Sequence, residues 1–334
     1  MTALAPHLSA YLREHLPRER AVSPHTVKTY ANCFVLLVQF AADRLKRRPT
    51  DLEVEDLDTD MIMAFLDHVE IGRGSCVRTR NGRLAAIRSF FRYIEYRIPA
   101  CLDQALRVRA IPTKKTDKAL IDYLDRAEIK ALLDTPDPRT RLGTRDRAML
   151  HLTYAGGLRV SELVTLQLGD FPDRSLSTMH IMGKGRRERV LPLWKETQIA
   201  LRAWLAIRPQ VEVTEIFLNA NGQPMTRDGF AFRLAEHVKT AATKQPSILG
   251  KRVTPHVLRH SCAMHTLAAT GDIRKVALWL GHASIQSTET YLRADPEEKL
   301  QILAAHGAPA IKPGRFKPPS DALITMLTDV RRRA

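Results

Sequence analysis

Four short segments in the second half of the chain hold side chains able to do chemistry: GGLRVSEL (156–163), GKG (183–185), HVLRH (256–260) and LGHASIQSTETYL (280–292). They supply Arg159, Glu162, Lys184, His256, Arg259, His260, His282 and Tyr291. Arginine meets a phosphate with two parallel hydrogen bonds and keeps its charge at any working pH. Histidine moves protons near neutrality, and tyrosine can attack and form a covalent ester. Such a set suits the breaking of a phosphate ester, where charge builds on phosphorus and must be met by cations. Each segment has a bland reading when taken singly. An arginine after Gly156 and Gly157 is usually a surface residue, GKG is usually a hairpin turn, and a tyrosine near a helix end usually packs. A zinc site on His256 and His260 fits poorly, because HVLRH lacks the glutamate of HExxH and sets Arg259 between them. No GxxxxGK[ST] loop precedes Lys184, so a nucleotide-binding turn is excluded.

The elements that must carry these residues are mostly helices. The pattern LDRAEIKALLDT, then RDRAMLHLTYA, is helical, breaks at Gly156 and Gly157, and resumes at about 160–167. Segments 176–182 and 188–193 are rich in strand formers and flank GKGRR, predicting a β-hairpin with Lys184 at its tip. Helices return after 226 and run to about 305. His256 and Arg259 then lie about one turn apart on one helix.

The first part reads as helix after helix. Ser23 and Pro24 fit the N-cap and first helical position of a helix whose Val27, Tyr30, Phe34, Leu37 and Phe40 form an apolar face. A helix is predicted over about 59–71 and another over about 75–96 after the Gly72–Gly74 break. On the latter, Leu84, Ile87, Phe90, Phe91 and Ile94 share one side, while Arg78, Asn81, Arg88 and Arg92 share the opposite one and are candidates for DNA contact. Residues 110–119, AIPTKKTDKA, read as an extended linker. This gives a helical domain over 1–109, a linker over 110–119, a second domain over 120–306, and a Pro- and Gly-rich extension over 307–334 ending in a short apolar stripe.

With 52 Lys and Arg against 36 Asp and Glu, the chain carries a formal charge of +16, which calls for a polyanionic partner. Both parts are basic, so a grip on DNA from two sides fits better than a single basic tail. No run of about 18 apolar residues appears, and Pro6, His7, Arg13 and Glu14 interrupt the start, so a cytoplasmic protein without membrane contact is expected. Cys33, Cys76, Cys101 and Cys262 are widely spaced and are expected to be reduced packing residues.

In this order the four segments resemble the motif set of the tyrosine recombinase, or phage integrase, family. SPHTVKTY and TRNGRLAAIRSFFRYI extend the resemblance to that family's core-binding domain, and it covers roughly residues 5–306. The resemblance implies a mainly α two-domain fold with a small antiparallel β-sheet: a helical, SAM-like core-binding bundle and an α+β catalytic domain. It implies site-specific DNA cleavage and rejoining through a 3′-phosphotyrosine, with no cofactor and no metal. Carried over by motif, Arg159 and Arg259 would bracket the phosphate, and Lys184 would protonate the departing 5′ oxygen. His256 would accept or position the tyrosine proton, His282 would donate to a phosphate oxygen, and Tyr291 would attack. Glu162 and His260 would support the site from behind. The partners implied are double-stranded DNA at a core site and further copies, a tetramer in the synaptic complex, alone or with related recombinases. EEKLQILAA (297–305) is the candidate for docking between copies. Two alternatives share much of this pattern: a type IB-like topoisomerase, and a binding-only descendant, whose mark would be loss of catalytic residues.

Overall fold

Local signals set the first helices. In this computed structural model, which describes residues 2–294 except 118–120, 174, 184–186 and 283, together with Met326, the chain opens with α1 (Leu4–Ala10), prolonged by a π-helical turn over Tyr11–Glu19. Ser23 caps α2 (Pro24–Leu45) by accepting the Thr26 N–H, and Pro24 fills the first turn. Asp58 caps α3 (Thr59–Asp67) through the Met61 N–H at 2.8 Å. Next come α4 (Val77–Arg97) and α5 (Leu102–Ala110). Leu84, Ile87, Phe90, Phe91 and Ile94 of α4 are all fully buried, against Tyr11, Phe34, Leu37 and Phe65 among others.

The other face of α4 is not uniform. Arg78 and Arg92 are exposed. Asn81 instead binds the backbone of Lys114 in both directions, at 2.8 and 3.1 Å, and Arg88 donates to the Ile111 carbonyl. Arg80, fully buried, reaches the Pro112 carbonyl, while Lys114 pairs with Glu70. Residues 111–114, part of the linker that composition predicts, thus lie along α4 within the first of two units, Met1–Lys118 and Ala119–Ala334.

The second unit begins with α6 (Arg126–Leu133), whose Asp125 and Glu128 form a reciprocal capping box, and continues with α7 (Arg141–Ala155) and the short α8 (Val160–Val164). Two antiparallel strands follow, β1 (Thr178–Gly183) and β2 (Arg187–Pro192), with Thr178 opposite Pro192 and Ile181 opposite Arg189. The first strand starts later than the predicted 176, because Leu176 takes a left-handed φ of 59° that a strand cannot hold. The remaining helices are α9 (Lys195–Ile207), α10 (Arg227–Lys244), α11 (Pro255–Thr270), α12 (Ile273–Leu280) and α13 (Glu289–Ala294). Their core gathers Met149, Leu163, Met179, Leu201, Trp204, Phe217 and Phe230. Beneath it Asp146 is buried among Arg145, Arg233 and His237. The expected helix over 297–305 and the extension after 307, Met326 aside, lie outside the described residues.

Candidate active site

The turn that ends α7 is built to bring three chain segments together. Gly157 sits at φ +55°, and a Cβ there would meet Leu280 Cδ2 at 2.5 Å and Cys262 Sγ at 3.2 Å. Only glycine fits, which lets the carbonyl of Gly157 approach α11. The chain then enters α8 with Arg159 as its N-cap residue. Glu162, one turn on, folds back to accept the Arg159 backbone N–H at 3.0 Å and its guanidinium at 2.7 Å.

Glu162 also accepts two hydrogen bonds from Arg189 of β2, at 2.8 and 3.3 Å. Its side chain therefore lies between two guanidiniums while only 8% exposed as a residue. Burial pushes its carboxyl pKa up, but the bonds from Arg189 and Arg159 outweigh that and hold it below the ordinary range. Arg189 passes close over Gly281, where its Cδ lies 2.9 Å from the place a Cβ would occupy. Sequence reasoning missed Arg189, although a signal was present. Arg189 shares the inward face of its strand with buried Leu191, while Glu188 and Val190 are exposed. An arginine on the apolar face of a strand requires a carboxylate.

Arg259 of α11 is 4% exposed. One of its terminal nitrogens donates to the Gly157 carbonyl, and the other to the Leu280 carbonyl, at 2.8 Å, at the end of α12. These bonds use two of its five N–H groups and fix the plane of the fork. Burial and then repulsion from Arg159 lower its pKa to about 10, so it remains a cation at neutral pH. Gly281, at φ +63°, ends α12 and turns the chain into His282. The His282 Nδ1 shares a 2.7 Å hydrogen bond with the hydroxyl of fully buried Thr288. Burial, followed by Arg259, Arg159 and Arg189, lowers the His282 pKa to about 4.

Tyr291, on α13, is 2% exposed and packs with Cys262, Met264, Leu267 and Val276. Its ring lies nearly parallel to that of His282, with centroids 6.4 Å apart. Its hydroxyl sits 3.1 Å from Nδ1 of His260. Burial raises its pKa to about 12, against the pull of Arg259. His256 is exposed and stacks on His260 at 6.5 Å between centroids. Burial, then His256 and Arg259, push the His260 pKa down to about 4. Lys184 lies outside the described residues; Gly183 and Arg187, which pair on either side of it, close the hairpin.

Arg159, Glu162, Arg259, His260, His282 and Tyr291, drawn from three separate segments, therefore lie in one connected cluster. With Arg189 on Glu162, three arginines against one carboxylate leave it with an excess of positive charge around a tyrosine, a place for an anion.

Comparison with known proteins shows the family. The "Phage integrase family" model matches residues 122–298, and the "Phage integrase, N-terminal SAM-like domain" model matches 8–97. The chain is 40% identical over 328 residues to the integrase/recombinase y4rC of Sinorhizobium fredii, covering 98% of each. That match takes in most of the segment after 307. It is 35% identical over 310 residues to tyrosine recombinase XerC of Myxococcus xanthus, covering 90% of this chain and 97% of that one. Among solved structures, XerH recombinase bound to palindromic difH has a TM-score of 0.64 at 21% identity, covering 89% of this chain and 84% of that one. A lambda integrase dimer bound to a COC′ core site has a TM-score of 0.63 at 16% identity, covering 95% and 80% respectively. No helix among the described residues is long and apolar enough to cross a membrane. By family models in both units and by relatives matched over nearly their whole length, this chain belongs to the phage integrase family of tyrosine recombinases.

Proposed function

We propose that Tyr291 is the nucleophile with which this site-specific recombinase opens a DNA strand. Its hydroxyl attacks a backbone phosphate, forms a 3′-phosphotyrosine and releases a 5′ hydroxyl; attack by a 5′ hydroxyl on that ester rejoins the strand. Arg159 and Arg259 hold the non-bridging oxygens, and His282 donates to one of them. Lys184 protonates the leaving oxygen, with His256 beside the site and Glu162 holding Arg159. The observation that carries this reading is the buried tyrosine whose hydroxyl lies 3.1 Å from His260, the neighbour of Arg259 on α11.

The substrate is double-stranded DNA at a core site, gripped by both basic units, with Arg78 and Arg92 of α4 among the contacts of the first. XerH is described bound to palindromic difH substrate, and lambda integrase, as a dimer, bound to a COC′ core site. Exchange between two such sites fits a tetramer, acting in the cytoplasm, alone or with a related recombinase. No cofactor or metal enters the scheme. Arg259 and Tyr291 are both present, against a binding-only descendant, and the relatives compared are named recombinases, against a topoisomerase.

Incubating the protein with fragmented genomic DNA, denaturing it, and sequencing the strands that stay attached tests the chemistry and names the target together. Wild type should retain a defined sequence through Tyr291, identified by peptide mass. Tyr291→Phe should bind the same DNA and retain none; an adduct in that variant removes Tyr291 from the role.

A further inference from the structure

Two histidines stand one turn apart on α11, and only one of them is seen on the nucleophile. His260 Nδ1 lies 3.1 Å from the Tyr291 hydroxyl, with the two rings edge to face at 5.7 Å. His256 is exposed and stacks on His260. A base must be within hydrogen-bond reach of the proton it removes, so geometry ranks His260 ahead of its neighbour.

We infer that His260 is the catalytic residue that takes the proton of Tyr291, leaving His256 at the exposed edge of the site. The inference rests on Tyr291 being the nucleophile. In the step, the Oη–H bond of Tyr291 breaks and its proton passes to Nδ1 of His260. The freed electron pair forms the Oη–P bond as the P–O5′ bond breaks, and the 5′ oxygen takes a proton from Lys184. Rejoining runs the same transfers backward, so a full cycle consumes no proton. The step uses the neutral tautomer with its ring proton on Nε2, which leaves Nδ1 to accept.

The surroundings explain why the transfer waits for DNA. Facing His260 are His256 and Arg259 from its own helix, Tyr291 from α13 and His282 from the turn before it. Burial and the neighbouring positive charge make His260 a weak base and burial makes Tyr291 a weak acid, so the proton stays on the phenol in the free protein. A phosphate seated between Arg159 and Arg259 neutralises the charge that opposes an imidazolium. The phenol also becomes more acidic as its oxygen bonds to phosphorus, so transfer accompanies attack.

The test measures single-turnover adduct formation on a nicked duplex oligonucleotide carrying the sequence recovered from the genomic adducts, between pH 6 and 8. His260→Ala and His260→Asn are compared with wild type. The asparagine amide can still meet the tyrosine hydroxyl but cannot take its proton. Both variants should bind the duplex and react about 100-fold more slowly at pH 7. Because hydroxide must then remove the proton, the ratio of wild-type to variant rate should fall by up to tenfold per pH unit. A ratio independent of pH, or wild-type rates in His260→Asn, overturns the inference and leaves His260 a packing residue. Should His260→Ala fail to fold, the asparagine variant alone decides. Wild-type adduct mapped to Tyr291 shows that the nucleophile assignment stands whichever way His260 turns out; its absence would count against that assignment instead.

Discussion

Replacing Glu162 by glutamine changes one atom type and strips the site of the carboxylate that holds two arginines. In the native protein its oxygens accept four hydrogen bonds, two from Arg159 and two from Arg189. Glutamine presents an amide nitrogen to donors on one side and leaves Arg159, Arg189 and Arg259 without a counter-charge. Breaking a buried ion pair costs about 3–5 kcal/mol. Arg189 and Glu162 have side chains 9% and 5% exposed, but Arg159 is 27% exposed and partly screened, so the lower end applies, about 3 kcal/mol. For a unit of roughly 200 residues this lowers the melting temperature by about 6–12 °C. Thermal unfolding followed by circular dichroism at neutral pH measures it directly. The core-site duplex should narrow the gap, since its phosphate supplies the missing negative charge, and adduct formation should still fall by about 10- to 100-fold because Arg159 is no longer fixed. A melting point within a degree of wild type would refute the argument, for it would mean that the two arginines do not depend on Glu162.

Two further substitutions probe the frame around the site. Gly157→Ala places a methyl group 2.5 Å from Leu280 at a left-handed φ, and should cost about 2–4 kcal/mol by chemical denaturation while displacing the Gly157 carbonyl that orients Arg259. A loss below 0.5 kcal/mol would show that α12 yields freely. Asp146 is raised by burial, yet His237, Arg145 and Arg233 more than reverse this and hold its carboxyl below the ordinary value. Its stabilisation is therefore full above the unfolded pKa of about 3.9 and is lost as pH falls through the lower folded value. Asp146→Asn should destabilise by about 3 kcal/mol at pH 7 and flatten the decline in stability below pH 4; an unchanged acid limb in urea titrations would contradict that assignment.

The sequence disclosed much of this where the signal was local. Ser23 with Pro24, and the run of Leu84, Ile87, Phe90 and Ile94, carry their own instructions for capping and for facing a core. What escaped depends on segments that meet only after folding. A helical wheel groups Asn81 and Arg88 with Arg78 and Arg92, but it cannot show that residues 111–114 return to cover the first pair. Spacing likewise puts His256 and His260 on one face of α11, yet which of them meets a tyrosine 31 residues later depends on the turn through Gly281 and Thr288. The β-hairpin was visible from its strand formers and glycines. The pairing of Arg189 with Glu162, 27 residues before it, was not.

Arg259 ties the joint after α7 to the end of α12 through two carbonyls, and the role proposed for it assigns its remaining N–H groups to the phosphate. In that proposal the same guanidinium is both a fastener and a tool, and selection would act on the two together. A lineage that stopped recombining could shed the Tyr291 hydroxyl with little injury to its fold, since only one polar contact goes with it. Shedding Arg259 would loosen two chain segments at once. Decay of the enzyme into a silent DNA-binding protein should therefore begin at the tyrosine, with the arginine persisting as a fossil of the chemistry it once served.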